Sequence, residues 1–278
     1  MDQRFVNEIK QELSKNEGGD LGYVAYLSAL GLINEVDPTI SRSIVNEIND
    51  QRSNIKMIAS ENYCSLPVQL AQANLLTDKY AEGFPYHRFY AGCENVDEIE
   101  GRAADLACEL YEADHAYVQP HSGADANLIA YWAILAAKVQ DKYVSNKEKK
   151  DISNLSEEEW KELREIFGSQ RLLAMNYYSG GHLTHGYRHN FSSRMFECAS
   201  YDVREDTNLI DYDQVRDKAR SFKPLILLAG YSAYSRKINF RIFKEIADEV
   251  GAVLMVDMAH FSGLVAGKVF EGEFNPVN

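Results

Sequence analysis

The sequence predicts an α/β fold in which helices cover both faces of a mainly parallel β-sheet. Over residues 224–257, an apolar strand, a helix ended by glycine and a second apolar strand follow one another. A strand, helix and strand within about 30 residues form a βαβ unit, and such units build parallel sheets with helices on their faces. A further apolar run at 172–176, LLAMN, predicts another strand of this sheet.

Hydrophobic spacing and helix-end residues predict the individual elements. Residues 1–52 are predicted to form an amphipathic helical arm, in which Pro38 follows Asp37 at the first turn of a helix. Apolar and alanine residues recur at helical spacing in two further segments, which predicts core helices at 66–76 and 96–112. The predicted strands cover 116–118, 172–176, 224–230 and 252–257, and the helix between the last two covers 239–251.

One large domain is predicted to follow the arm. The chain of 278 residues is long enough to bury a sizeable core, and we place this domain at 53–278. Within it, residues 138–165 are dense in lysine and glutamate, as in NKEKK and SEEEWKELREI. Such a charged stretch predicts a solvated helical insertion.

Composition and charge restrict the classes of ligand and the location. The net charge of −13 argues against partners such as nucleic acids or anionic membranes, because both need a basic surface. No apolar run reaches the roughly 20 residues of a membrane span, and the first residues are charged, unlike a signal peptide. The cysteines lack paired CxxC spacing, which predicts reduced thiols and a cytoplasmic protein. They are Cys64, Cys93, Cys108 and Cys198.

Four polar segments are predicted to face one cleft. HSGADAN, SGGHLTHG and GYSAYS each follow a predicted strand, and Asp257 ends another. Ligands of open α/β sheets collect at the carboxyl ends of the strands. The expected ligand is therefore a small molecule bound at that edge.

Each segment allows more than one interpretation. Ser122 and Gly123 begin a helix, so their backbone N–H groups could hold a phosphate or form only a turn and cap. His182 and His185 could be a metal pair, an aromatic plate over a flat ligand, or neither. A carboxylate such as Asp257 at a buried strand end costs several kcal/mol unless a cation or proton donor meets it.

Asp257 and the loop at 79–93 each suggest specific chemistry. A protonated pyridine nitrogen would satisfy Asp257 through a charge-assisted hydrogen bond, whereas Asp257 with His260 could also complete a metal site or an acid–base pair. The stretch KYAEGFPYHRFYAGC at 79–93 offers phenols and a carboxylate for proton transfer, or is a surface loop with a tyrosine-rich packing face. Its polar residues include Tyr80, Glu82, Tyr86, Arg88 and Tyr90.

Six motifs in order connect this sequence to a known family. They are IASENY (58–63), KYAEGFP (79–85), QPHSGADAN (119–127), GGHLTHG (180–186), YSAYS (231–235) and VDMAHFSGLVAG (256–267). From about residue 52 onward the chain resembles serine hydroxymethyltransferase (glycine hydroxymethyltransferase), a pyridoxal 5'-phosphate enzyme of the aspartate aminotransferase fold type I. The resemblance implies that 53–278 is a pyridoxal-phosphate-binding large domain.

The resemblance also implies roles for the cofactor-binding residues. Asp257 would hydrogen-bond the pyridine nitrogen, His182 would stack on the ring, and Ser232 and His260 would lie near its phenolic oxygen. The phosphate would be held by the backbone turn and by a tyrosine of a neighbouring subunit in a homodimer or tetramer. These phosphate ligands are Ser122, Gly123, Ala124 and Tyr80. No metal belongs to this set.

For the substrates, the resemblance implies serine, glycine and tetrahydrofolate, with a one-carbon unit moving between them. Ser60 and Tyr90 would contact the amino acid, and Glu82 from the partner subunit would handle a proton near the hydroxymethyl group. The folate would lie against Tyr177, Gly181, His182 and Leu183. Three positions depart from the family pattern: Ala124 replaces a second serine, Phe89 a tyrosine and Tyr177 a leucine.

A further departure concerns the lysine to which the family attaches its cofactor. That lysine lies in a TTTTHK motif, which this sequence does not contain, and Lys268 lacks the motif's context. We expect the chain to be the N-terminal portion of the enzyme, without the C-terminal domain and inactive alone. The alternative is a naturally short, non-catalytic protein that binds pyridoxal phosphate or a partner, and a metal-dependent hydrolase is a third possibility.

Overall fold

The structure is a computed structural model that describes residues 3–15 and 20–269. The chain folds into two compact units, Met1–Lys79 and Tyr80–Asn278. This division lies after Lys79, whereas the helical arm was predicted to end at residue 52. The predicted domains, 1–52 and 53–278, stay a prediction. None of the helices in the described part of the chain is long and apolar enough to span a bilayer.

The first unit is helical, as predicted for its N-terminal part. Its helices are α1 (Gln3–Leu13), α2 (Leu21–Val36), α3 (Pro38–Ser53) and α4 (Leu66–Gln72). Phe5, Leu27 and Leu30 form a small buried cluster. The Asp37 carboxylate accepts a hydrogen bond from the Thr39 backbone N–H at 2.8 Å and caps α3, with Pro38 in the first turn.

Helix α4 corrects the prediction of a core helix at 66–76. It ends at Gln72 and contains no buried residue. A 3₁₀ turn at Leu75–Asp78 replaces its last part, because the Asn74 side chain accepts a hydrogen bond from the Leu76 backbone N–H at 2.8 Å. Local side-chain capping thus ends a helix that apolar spacing alone would extend.

The second unit contains a four-stranded parallel sheet. A short antiparallel hairpin, β1 (Gly83–Phe84) and β2 (His87–Arg88), precedes it. The sheet strands are β3 (Arg171–Met175), β4 (Glu197–Tyr201), β5 (Ile226–Gly230) and β6 (Val253–Asp257), in the order β4-β3-β5-β6. All neighbouring pairs are parallel, which confirms the predicted fold class.

Helices cover both faces of this sheet. The helices of this unit are α5 (Glu94–Tyr111), α6 (Gly123–Leu135), α7 (Asp141–Asn146), α8 (Glu157–Gly168), α9 (Ser192–Met195), α10 (Tyr212–Phe222), α11 (Phe240–Val250) and α12 (Ser262–Ala266). Alternate strand residues face opposite sides: Leu173 and Leu227 pack in a cluster with α10 and α11, whereas Leu172 and Leu228 pack in a cluster with α6 and α8. The sheet therefore has a buried hydrophobic core on each of its two faces.

Two predictions for this unit need correction, and one strand was not predicted. Residues 116–118 form no strand, because they pair with none of the described strands. Strand β4 was not predicted, since ECASY has little apolar character. Helix α5 was predicted to be a core helix, yet Asp97 is its buried residue and its apolar side chains remain partly accessible.

The charged insertion is helical, as predicted, but it is only partly solvated. It contains α7 and α8, and a π-helical turn at Ala136–Gln140 joins α6 to α7. Ser156 begins α8 with a capping box, in which its hydroxyl accepts from the Glu159 backbone N–H while the Glu159 carboxylate accepts from the Ser156 N–H. Leu163 and Phe167 are buried in the core cluster.

Candidate active site

Asp257 lies at the carboxyl end of β6 and is held by three N–H donors. Its Oδ2 is 2.9 Å from His185 Nε2 and accepts from Asn127 Nδ2, also at 2.9 Å. Its Oδ1 accepts from the Ala259 backbone N–H at 3.2 Å. Burial alone would raise the pKa of Asp257, but the hydrogen bonds from His185 and Asn127 outweigh it and hold that pKa well below the ordinary value. Asp257 is therefore an ionised carboxylate inside the protein.

His185 is oriented by a hydrogen bond to its other ring nitrogen. Its Nδ1 accepts from the His182 backbone N–H at 3.2 Å, which places the ring proton on Nε2, directed at Asp257. The residue is 4% exposed. From the sequence, His185 was predicted only as a possible metal ligand or aromatic plate, and neither its contact with Asp257 nor that of Asn127 was predicted.

His182 lies beside this pair and presents a neutral ring. Its Nδ1 is 2.8 Å from the Thr184 hydroxyl and accepts from the Thr184 backbone N–H at 3.2 Å. The His182 and His185 ring centroids are 5.8 Å apart. Burial, with smaller contributions from His185 and His260, lowers the pKa of His182. A neutral, half-buried imidazole can stack on a flat ligand without carrying charge.

Two loops at this sheet edge are joined through one carbonyl group. The Gly180 carbonyl accepts from the backbone N–H of Ser232 at 2.7 Å and of Ala233 at 3.0 Å. This joins the histidine loop after β3 to the loop after β5. Ser232 Oγ is buried and has no hydrogen-bond partner within residues 3–15 and 20–269. A buried hydroxyl of this kind is able to bind a polar ligand atom.

Gly181 fixes the path of the histidine loop. A Cβ at this position would lie 2.2 Å from the Met175 carbonyl oxygen, so only glycine fits against the end of β3. The Gly181 N–H also donates to the Asn176 carbonyl at 2.9 Å. The loop therefore leaves β3 in a single direction and brings His182 to Asp257.

The start of α6 lies at the same edge. Ser122 is its N-cap, and the Ser122 hydroxyl accepts from the Asp125 backbone N–H at 3.1 Å. Ser122 and Gly123 are exposed, and nothing lies within 4 Å of a Cβ built on Gly123, so there is open space at the start of this helix. One turn on, the buried Asn127 contacts Asp257 and donates to the Thr184 hydroxyl at 2.7 Å. This helix start can bind an anion.

Tyr80, predicted to bind the cofactor phosphate, forms a separate, exposed group with Glu82 and Tyr90, which were predicted to bind the substrate. The Tyr90 hydroxyl donates to Glu82 Oε2 at 3.1 Å, and the Tyr80 and Tyr90 rings meet edge-on with centroids 5.5 Å apart. The hydrogen bond to Glu82 raises the pKa of Tyr90. Tyr80 is 70% and Tyr90 48% exposed. Among the described residues, no hydrogen bond or ring contact joins this group to the Asp257 cluster.

The remaining predicted residues lie in the first unit and in the loops that follow β3 and β6. Ser60 is in an exposed stretch of the first unit between α3 and α4. Tyr177 is half-exposed, with its ring 4.9 Å from that of Tyr187, and Leu183 is similarly exposed. His260 follows β6 by three residues.

A metal ion is the other ligand that this geometry could accommodate. His182, His185 and Asp257 each offer an atom within 4.8 Å of the others. A ligating histidine needs a free nitrogen lone pair, and both nitrogens of His185 are engaged in hydrogen bonds. Binding a metal through this ring would therefore require it to lose either its hydrogen bond to Asp257 or the one from the His182 N–H.

Comparison with known proteins identifies the family. The family model described as serine hydroxymethyltransferase matches residues 33–147 and 161–277. The chain belongs to the serine hydroxymethyltransferase family. The two matched segments leave out residues 148–160, within the charged insertion. Membership confirms the predicted resemblance and the fold type I architecture.

Relatives from several bacteria support the same assignment. The serine hydroxymethyltransferase of Treponema pallidum is 60% identical over 255 residues, covering 92% of this chain and 44% of that protein. That of Salinispora tropica is 54% identical over 93% of this chain and 54% of its own length. That of Chlamydia felis is 50% identical over 98% and 55%. The chain spans about half the length of the curated relatives it matches.

Proposed function

We propose that this chain carries the cofactor site of a glycine hydroxymethyltransferase, a transferase of one-carbon metabolism and amino-acid biosynthesis. The reaction interconverts serine and glycine and transfers a one-carbon unit to tetrahydrofolate, with pyridoxal 5'-phosphate as cofactor. The observation that carries the proposal is the ionised Asp257 beside the neutral ring of His182.

The residues at the sheet edge fit this cofactor. Among the described residues, Oδ1 of Asp257 accepts a hydrogen bond from one backbone N–H, that of Ala259. This oxygen can therefore also accept from a protonated pyridine nitrogen. Ser232 Oγ is buried without a partner in the described part of the chain and suits a phenolic oxygen, with His260 near it. Ser122, Gly123 and Ala124 suit the phosphate. When bound, this cofactor would supply an electron sink, since a pyridine ring held in its charged form would stabilise negative charge that develops on the substrate.

Each protein group then has a limited task. Asp257 keeps a proton on the ring nitrogen, and the His182 ring covers one face of the cofactor and excludes water from it. Glu82 holds or moves a proton near the hydroxymethyl group of serine, and Tyr90 with Ser60 binds the amino acid. Tyr177, Gly181, His182 and Leu183 form the folate contact.

The exposed Tyr80, Glu82 and Tyr90 group supports a role for a second subunit. These side chains contact one another, but among the described residues no hydrogen bond or ring contact joins them to the Asp257 cluster of the same chain. We propose that they complete the site of a partner subunit in a homodimer or tetramer, with Tyr80 on the phosphate.

The four cysteines are free thiols, which supports a cytoplasmic location.

Binding of pyridoxamine 5'-phosphate tests the cofactor proposal. This amine retains the ring nitrogen and the phosphate but cannot form an imine with lysine, so its fluorescence titration reports the non-covalent site alone. Asp257→Asn should weaken binding about 10- to 100-fold, as expected for loss of a charged hydrogen bond of roughly 1.5–3 kcal/mol. The exposed Asp105→Asn is the matched control. Equal binding by Asp257→Asn and the unaltered chain, or stoichiometric zinc in the purified protein, would contradict the proposal.

A further inference from the structure

Arg88 is a buried guanidinium with every nitrogen engaged. Its side chain is 4% exposed. Nε donates to Asp97 Oδ1 at 2.7 Å and Nη2 to Glu100 Oε2 at 2.6 Å, and both carboxylates are on α5. These pairs raise the pKa of Arg88 above its already high ordinary value, with the Glu100 hydrogen bond the larger cause. The cation is therefore permanent and fixed in orientation.

The remaining nitrogen, Nη1, binds the backbone on both sides of Glu82. It donates to the Ala81 carbonyl at 2.8 Å and to the Gly83 carbonyl at 3.1 Å. Two peptide groups that flank one residue are thus held by one atom. Since both carbonyls are fixed, the backbone at Glu82 has little freedom to rotate and its side chain leaves in one direction.

The β1–β2 hairpin supplies a third restraint on the same residue. The Glu82 carbonyl accepts from the Phe89 backbone N–H at 3.1 Å. Gly83 has φ +113°, and a Cβ there would lie 2.4 Å from the His87 carbonyl oxygen. The hairpin therefore closes tightly enough to bring Arg88 onto the carbonyls beside Glu82.

Gln119 connects this arrangement to the segment that leads to α6. Its Nε2 is 2.8 Å from the Gly83 carbonyl and 2.6 Å from Glu100 Oε1. Its own Oε1 accepts from the Tyr117 hydroxyl at 2.7 Å. Gln119 precedes the N-cap Ser122 by three residues, so the hydrogen-bond network of the loop that carries Glu82 includes the segment that leads to the predicted phosphate-binding turn.

We propose that Arg88 is a positioning residue for Glu82, which it orients through the two flanking peptide carbonyls, with Gln119 as its second support. The catalytic role of Glu82 rests on the proposed function, but the positioning itself does not. The product of this positioning is visible in the chain as the hydrogen bond from the Tyr90 hydroxyl to Glu82 Oε2.

Lysine cannot replace Arg88 in this arrangement. An ammonium group keeps the charge and can pair with Asp97 or Glu100, but it lacks the planar fork that reaches two carboxylates and two carbonyls at once. Arg88→Lys therefore separates the charge of the residue from its geometry. Helix α5, which carries Asp97 and Glu100, also carries the exposed Arg102, and Arg102→Lys is therefore the matched control.

The pKa of Tyr90 measures the position of Glu82 directly. In the full chain, tyrosine labelled with ¹³C at Cζ is titrated by NMR, and the Tyr90 resonance is assigned from Tyr90→Phe. Glu82→Gln removes the nearby charge and defines the downward shift for complete loss of the contact. Arg88→Lys should give about half of that shift or more, the double variant with Glu82→Gln should add nothing further, and Arg102→Lys should leave Tyr90 unchanged.

A purely structural Arg88 would lower the urea midpoint and leave the Tyr90 pKa of the folded chain unchanged, and that result overturns the proposal. Gln119→Met provides the test if Arg88→Lys does not fold, because it removes one donor to Gly83 and keeps the ion pairs. It should shift the Tyr90 pKa in the same direction by less, and an unchanged Tyr90 in folded Gln119→Met also overturns the proposal. Pyridoxamine 5'-phosphate binding does not enter this readout, so failure of the proposed function would be seen separately.

Discussion

The Asp257 cluster and the Tyr80, Glu82 and Tyr90 group are assembled in opposite ways. The two side-chain donors to Asp257 are 130 residues away at Asn127 and 72 residues away at His185, and the cluster is largely buried. Glu82 and Tyr90 are separated by eight residues, and the group is exposed. The first group exists only when the sheet has formed, whereas the second needs only a hairpin and its contact with α5.

This difference separates two requirements of the proposed reaction. A group that keeps a proton on a ring nitrogen must lie in a fixed, water-poor place, where its hydrogen bonds are strong. A group that contributes to a partner's site must remain accessible until the subunits meet. The buried cluster should therefore respond strongly to substitution in the isolated chain, and the exposed group weakly.

Gly181→Ala should give the largest loss of stability. The added Cβ would lie 2.2 Å from the Met175 carbonyl oxygen and 3.0 Å from that of Asn176, so the histidine loop must move away from β3. We expect a loss of roughly 2–4 kcal/mol in the free energy of unfolding, measured with urea. Gly168→Ala, at the end of α8 with nothing within 4 Å, should be neutral or slightly stabilising. Equal effects of the two would show that the loop adapts freely.

Acid should destabilise the chain partly through Asp257. Its pKa in the folded protein is lower than the ordinary value of 3.8, so its stabilising contribution is complete above that value and is lost as the pH falls below it. Asp257→Asn should therefore be less stable at pH 7 and show a shallower loss below about pH 4, in urea unfolding measured from pH 7 to pH 3. An acid profile that is unchanged in Asp257→Asn would place the protein's acid sensitivity elsewhere.

The sequence predicted the framework better than the contacts. The runs around β3 and β5 are continuous and apolar because these strands are buried on both faces. The run around β6 is also apolar, although this edge strand is only half-buried. Strand β4, at the other edge of the described sheet, has the sequence ECASY, in which Glu197 and Ser200 interrupt the apolar residues, so its apolar signal is weak. The run at 116–118 has the right residues for a strand but pairs with none of the described strands, and the pairing partner of a strand is not a local property of the sequence.

The candidate site shows the same limit at the level of side chains. Strand ends and loop composition were enough to predict that Asp257 and His182 lie together. They did not show that His185 and Asn127 donate to Asp257, because those contacts depend on how α6 packs across the sheet. Likewise Arg88 is one charged residue in a polar loop until α5 places Asp97 and Glu100 beside it.

Ser232→Ala should have opposite effects on folding and on ligand binding. Its hydroxyl is buried and has no partner in the described residues, so its removal should raise the free energy of unfolding of the free chain by roughly 1 kcal/mol. The same change should weaken pyridoxamine 5'-phosphate binding, since the ring loses a polar contact. Urea unfolding without ligand and fluorescence titration measure the two effects. Ser221→Ala, which deletes an exposed hydroxyl on α10, should change neither, and a destabilised Ser232→Ala would contradict the expectation.

Tyr90→Phe should have the smallest effect on stability, and Tyr201→Phe makes the comparison quantitative. Both substitutions delete one phenolic oxygen: that of Tyr90 bonds Glu82 on the exposed hairpin, and that of Tyr201 bonds the Leu228 carbonyl at 3.0 Å in the core. Tyr90→Phe should change the free energy of unfolding by less than about 0.5 kcal/mol, whereas Tyr201→Phe leaves a buried carbonyl with one donor fewer and should cost about 1–2 kcal/mol. Urea unfolding of the two variants at one low protein concentration measures the difference. Equal losses would mean that the exposed group is already buried in the free chain, and the separation between a self-contained cofactor cluster and a group held ready for a partner would not stand.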